Sequence, residues 1–196
     1  MLKKQVLIQA IGEAVIPLLG FFFFDWGLYF ILLFYIADLI ITEIFVNIKA
    51  KKIVTTNKGN AKTWRNQAIV STFLVLSIIV LIHVVMRFID PTIHFQKEFV
   101  DFVMYEEAGI PIPQGYILLP LILFGNYQQY KMFFLMTAKH RVLRVKDVFR
   151  SRKNALFIAL AGIGLAMGLC VLLHLPEIVY LLLIVAGKFF VDWKRS

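Results

Sequence analysis

The chain is poor in cysteine, in acidic residues and in long polar loops. Its one cysteine, Cys170, lies inside an apolar run. A disulfide framework, a CxxC redox pair and a thiolate metal cage within one chain are therefore excluded. Twelve acidic residues stand against 21 basic ones, a formal net charge of +9. The basic residues fall in short blocks between apolar segments, as membrane orientation signals do. That distribution makes nucleic acid the weaker reading of the charge. No polar stretch is long enough to fold alone, so residues 1–196 form one domain. G-x-S-x-G, H-E-x-x-H and P-loop motifs are missing. The acid pair Glu106-Glu107 has no basic or histidine partner at metal-site spacing. An enzyme is thus the less favoured class.

What is present is apolar surface. Hydrophobic residues make up 60% of the chain and the mean hydropathy is +0.80, against about 45–50% apolar in soluble domains. The expectation is an all-α polytopic membrane bundle of six transmembrane helices. The spans are placed at about 6–24, 28–48, 68–88, 116–136, 155–175 and 177–191. The N-terminus has the basic start and apolar core of a signal peptide. Gln9 and Glu13 interrupt that core and no small-x-small site follows, so it reads as a retained span. Pro17 is expected to kink it. Between 89 and 115, Phe95, Phe99, Phe102 and Val103 recur at helical spacing, which predicts a short amphipathic helix on the outer interface. The span at 116–136 also admits a half-crossing that runs into an interfacial helix.

Charge fixes the orientation. Residues 1–5, 49–67, 137–154 and 192–196 hold 17 of the 21 lysines and arginines. The expected location is therefore the inner (plasma) membrane, with both termini cytoplasmic.

A charge in mid-bilayer costs at least about 2.5–3.5 kcal/mol, so intramembrane polar residues should face one another. Glu13, Asp38, Glu43, Asn126 and Lys131 form the candidate polar pathway. Lys131 is the expected partner of Glu43 or Glu13, and Asp38 is expected to meet Asn126 or to be protonated. Asp38 and Glu43 lie about 140° apart around one helix, so both cannot face one narrow cavity. Lys188 is expected to snorkel to the cytoplasmic surface. The functional reading is a small transporter or channel; the bland one is a polar network that fixes helix register.

Three other features carry alternatives. Gly164 and Gly168 form a GxxxG, read as helix packing within the chain before a homo-oligomer seam. The basic loop with Arg141, Arg144, Lys146, Arg150, Arg152 and Lys153 suits a helix lying on anionic lipid, or a partner surface. This supports the second function class, a non-transporting accessory or scaffold protein, such as a defence-system accessory or an assembly factor. His83 and His174 lie near the outer ends of their spans, where two histidines could hold a haem; ordinary hydrogen bonding is the commoner use, and no cofactor is expected.

The first helical pair also resembles one that recurs in bacterial multi-pass membrane proteins of unknown function. The residues are Pro17-Leu18-Leu19-Gly20, Trp26, Tyr35, Asp38 and Asn47-Ile48-Lys49, with Lys188-Phe-Phe-Val-Asp192 at the end. The resemblance implies a bacterial inner-membrane protein and no known activity.

Overall fold

The computed structural model describes residues 2–57, 60–104, 113–173 and 176–195; side chains at 2–10, 13, 166–167, 169–173, 177 and 189–195 are outside that description. The chain is all-α, 89% helical, with no strand among the described residues. In order, the helices are α1 (Leu2–Phe23), α2 (Leu28–Asn57), α3 (Ala61–Ile89), α4 (Phe95–Met104), α5 (Gln114–Tyr130), α6 (Lys139–Val142), α7 (Val145–Leu173) and α8 (Glu177–Arg195). Lys131–Leu135 continue α5 as a π-helical turn.

Among the described residues, two helices, α2 and α3, are long and apolar enough to cross a bilayer. They treat their apolar surface differently. Leu28 to Phe34 of α2 are all buried, because α2 packs against every other helix. A helix that is apolar all round needs such a central position. On α3, by contrast, Ile69, Phe73, Leu76, Val80, Val84 and Phe88 face outward. Their spacing covers about 28 Å of helix at 1.5 Å per residue, close to the thickness of a hydrocarbon core. The inner face of α3 packs most extensively on α7, and α1 packs on α8.

Local chemistry sets the ends. Phe24 and Trp26 both donate backbone hydrogen bonds to the Gly20 carbonyl, at 3.1 and 3.0 Å. Asp25 takes a positive φ of 51° in that turn, a conformation that short polar residues tolerate. The turn folds the Trp26 indole over Gly20, where a Cβ would collide with the ring. At the start of α3, Asn60 caps the helix by accepting from the amides of Lys62 and Thr63 at 2.8 and 3.3 Å. Pro17 lies within α1, which continues past it to Phe23.

The helix at 95–104 is present, and it is docked rather than merely resting on a surface. Phe102 is buried and meets the Phe30 ring edge-to-face at 5.0 Å, while Phe95 packs on Tyr29 and His83. Glu106 and Glu107 lie outside the described residues.

The helices run further than the apolar segments that predicted them. α2 continues to Asn57 and α7 begins at Val145. These extensions enclose a second apolar cluster of Val46, Ala50, Ile53, Phe134, Val145 and Phe149. The basic stretch expected to lie flat on lipid is therefore largely the first turns of α7, joined directly to the segment at 155–173.

Candidate functional site

α2 brings Asp38, Thr42 and Glu43 to polar partners on α5, α7 and α8. Asp38 accepts a hydrogen bond from Asn126 Nδ2 at 3.1 Å, and Thr42 donates to Asn126 Oδ1 at 3.0 Å. Thr42 lies one turn from Asp38, with its hydroxyl 3.4 Å from the carboxylate. Asn126 is buried and also donates to the Ile122 carbonyl at 3.1 Å. The α2–α5 contact at this depth is thus made by amide, hydroxyl and carboxylate together.

Asp38 has a cationic partner. Lys188 Nζ of α8 lies 3.5 Å from Asp38 Oδ2. Lys188 therefore turns inward instead of snorkelling. Both side chains are half-buried, and pairing lowers the cost of holding the two charges partly away from water.

Glu43 is paired elsewhere. Its Oε2 accepts from Arg152 Nε at 3.0 Å, and Arg152 also donates to the Leu39 carbonyl at 3.0 Å. This corrects two expectations. Glu43 does not pair with Lys131, which is exposed at the start of the π-helical turn. Arg152 is not a surface residue of the basic loop: it is buried between α2 and α7. Its neighbour Lys153 donates to Gln67 of α3 at 2.9 Å. Arg141, Arg144, Lys146 and Arg150 are exposed, with Arg144 paired to Asp147 at 3.1 Å. The Glu13 side chain lies outside the described residues.

Two cavities meet at the Asp38 cluster. The larger, about 360 Å³, lies among α2, α3, α5, α7 and α8. The smaller, about 200 Å³, lies among α1, α2 and α5. Tyr35, Asp38 and Asn126 line both, so this trio separates them. The larger cavity is apolar towards Leu28, Met86 and Ile163. It is polar at its other end, where Asp38, Thr42, Asn126, Gln129, Arg152 and Lys188 border it. Glu43 lines neither cavity, in keeping with its angular separation from Asp38.

Sequence reasoning missed Lys188 and Arg152 as interior residues. For Arg152 a signal was present: Val145, Phe149, Arg152 and Leu156 recur at i, i+4, i+7 and i+11, which puts the arginine on the buried stripe.

The remaining candidates separate. Gly164 and Gly168 are exposed, and a Cβ on either would meet no atom within 4 Å. They do not form the close internal seam that was expected. His83 is engaged through both ring nitrogens, Nε2 with the Tyr29 hydroxyl at 2.8 Å and Nδ1 with the Ile79 carbonyl at 2.7 Å. His174 lies outside the described residues. No group of three or more potential metal ligands occurs among the described residues.

No family model, curated protein or solved structure matches the chain.

Proposed function

We propose that this is a multi-pass inner-membrane protein acting as a small transporter or channel, with Asp38 and Asn126 at the control point of an intramembrane path. The observation that carries the reading is the pair of cavities on either side of one hydrogen-bonded carboxylate–amide contact. An ionisable residue inside a membrane segment is a functional candidate by default, and here it stands where two empty volumes meet. α1, α2, α3, α5 with its π-helical turn, α7 and α8 supply the six crossings. The outward apolar stripe of α3 and the segregation of basic residues support that placement, with both termini cytoplasmic. The resemblance to bacterial inner-membrane proteins supports the same location.

The test is proton flux into proteoliposomes under a pH gradient, read by an entrapped pH-sensitive dye. Wild-type protein should conduct above protein-free vesicles, and Asp38→Asn should reduce the flux to that background. Wild-type vesicles no leakier than protein-free ones, with protons or any other ion tried, would sink this reading.

A second reading rests on the extended helices. The apolar cluster around Ala50 and Phe149 gives a rigid base from which Arg141, Arg144, Lys146 and Arg150 project. Such a surface suits anionic lipid headgroups, and the protein would then be an accessory or scaffold. On this reading wild-type proteoliposomes show no flux, and neutralising those four residues should abolish binding of the protein to anionic vesicle surfaces. The exposed Gly164 and Gly168 leave a homo-oligomer seam as a further part of either reading.

A further inference from the structure

The larger cavity has features that identify its occupant by chemistry. First, it is built by small residues. Gly162, Ala155 and Ala159 of α7 and Gly187 of α8 line it. A methyl added to Gly162 or Gly187 would meet no atom within 4 Å. Larger side chains at these positions would close the space, and interiors otherwise pack to high density.

Second, it is elongated and graded. From Leu28 to Thr42 it follows about 21 Å of α2 at 1.5 Å per residue. Apolar groups dominate the first half, and the charged and amide side chains are gathered at the far end, with the Tyr35 and Tyr180 rings on the remaining wall. Third, its border includes surface residues. Ile158 of α7 and Leu183 of α8 line the cavity, and both are exposed. The opening therefore lies between α7 and α8 on the apolar side of the bundle. In a membrane that side meets hydrocarbon, so a ligand enters from the lipid phase.

Fourth, the charges at the polar end compensate one another. Asp38 is paired with Lys188, and Arg152 with Glu43. A charged head group would add an uncompensated charge to a weakly solvated site, which is costly. A neutral group that donates and accepts hydrogen bonds suits Thr42, Asn126 and Gln129 without disturbing either ion pair.

We infer that this cavity binds a single-chain neutral amphiphile, with its hydroxyl- or carbonyl-bearing head at Asn126 and Gln129 and its chain along α7 towards Met86. The inference rests on the membrane-spanning placement proposed above and names the substrate class of the same site.

The experiment uses the full chain in lipid nanodiscs and a long-chain alkyl alcohol with a diazirine at the far end of the chain. After illumination, peptide mapping should find label at the apolar end, on Met86 and Ile163, competed by unlabelled alcohol. Phe73 and Val80, on the outer face of α3, should show only non-competed background. Gly162→Leu and Gly187→Leu should each lower the competed labelling about tenfold. Gly162→Ala, a smaller change, should retain most of it. The same chain with a trimethylammonium or sulfonate head should label about tenfold less.

Uniform labelling of all surface residues, indifference to both leucine variants, or preference for a charged head would each overturn the inference. Labelling is read without flux. Specific labelling with no flux keeps the ligand class and removes the transport reading. Flux without specific labelling does the reverse.

Discussion

Arg152 and Glu43, 109 residues apart in the chain, meet at 3.0 Å with both side chains more than nine-tenths buried. They join α2 to α7 at the polar end of the large cavity, which Arg152 borders. A buried pair of this kind gives little net stability against an apolar replacement, but breaking it strands a charge. Arg152→Met and Glu43→Leu should each destabilise the protein by about 3–5 kcal/mol, and the double variant should recover most of that loss. Thermal unfolding in nanodiscs reads the three values. Single variants indistinguishable from wild type would mean the pair holds nothing together.

Asn126 holds Thr42 and Asp38 to α5. Asn126→Leu removes a donor and an acceptor at once and takes one partner each from the half-buried Thr42 and Asp38, the latter keeping Lys188. The expected cost is about 1–3 kcal/mol, again read by thermal unfolding. Thr42→Val removes only one donor and should cost less. The reverse order would contradict a network centred on the amide.

Gly20 is fixed by its neighbour. A Cβ at this position would enter the Trp26 indole ring, and that ring also stacks on Phe30 at 4.7 Å. Gly20→Ala should cost about 1–3 kcal/mol through overpacking and shift tryptophan emission to the red as Trp26 is displaced. Gly12→Ala, where a Cβ would meet nothing within 4 Å, should do neither.

The short helix α4 should respond to pH. Burial first, and the Asp101 and Asp90 carboxylates with it, hold the Glu98 carboxyl above its ordinary value, partly offset by Lys97. The folded chain therefore binds this proton more tightly than the unfolded chain. Its contribution is unfavourable above the raised value and is relieved as pH falls towards the ordinary glutamate range. Asp90 works in the opposite sense. Hydrogen bonds from the Thr92 hydroxyl and amide hold its carboxyl low, so its contribution is present above the ordinary aspartate value and lost on acidification. Hydrogen exchange of the Phe95–Met104 amides across this range separates the two. Glu98→Gln should remove the gain in protection on mild acidification and leave the loss at lower pH. An unchanged profile would refute the assignment to Glu98.

The sequence made the apolar lengths legible, and with them the main helices, because length and hydropathy are local properties. The ends were harder. The reading of α2 stopped at Ile48, where apolar residues thin out, although Val46, Ala50 and Ile53 keep helical spacing and are buried together. Asp38 and Asn126 were paired correctly from depth alone. Lys188 has the right depth to meet Asp38, but depth says nothing of which way a helix is turned. Glu43 was matched to Lys131, and its actual partner lay in a segment read as a loop. The cavities were not legible at all. The larger is bordered by Gly162 and Gly187 on different helices, and an empty volume becomes visible only when both walls are in place.

The π-helical turn at Lys131–Leu135 has a consequence for how this chain tolerates changes of length. Such a turn closes its hydrogen bonds over one residue more than an α-turn, as Met136 does in bonding back to the Lys131 carbonyl at 2.9 Å. It is a one-residue slack in an otherwise continuous rod. Deleting a single residue there would take up the slack and restore an ordinary helix, with Asn126 undisturbed upstream. The same deletion between Ile122 and Asn126 would turn one end of α5 by about 100° against the other and carry the amide away from Asp38. Variation in length is therefore affordable on one side of the polar cluster and not on the other.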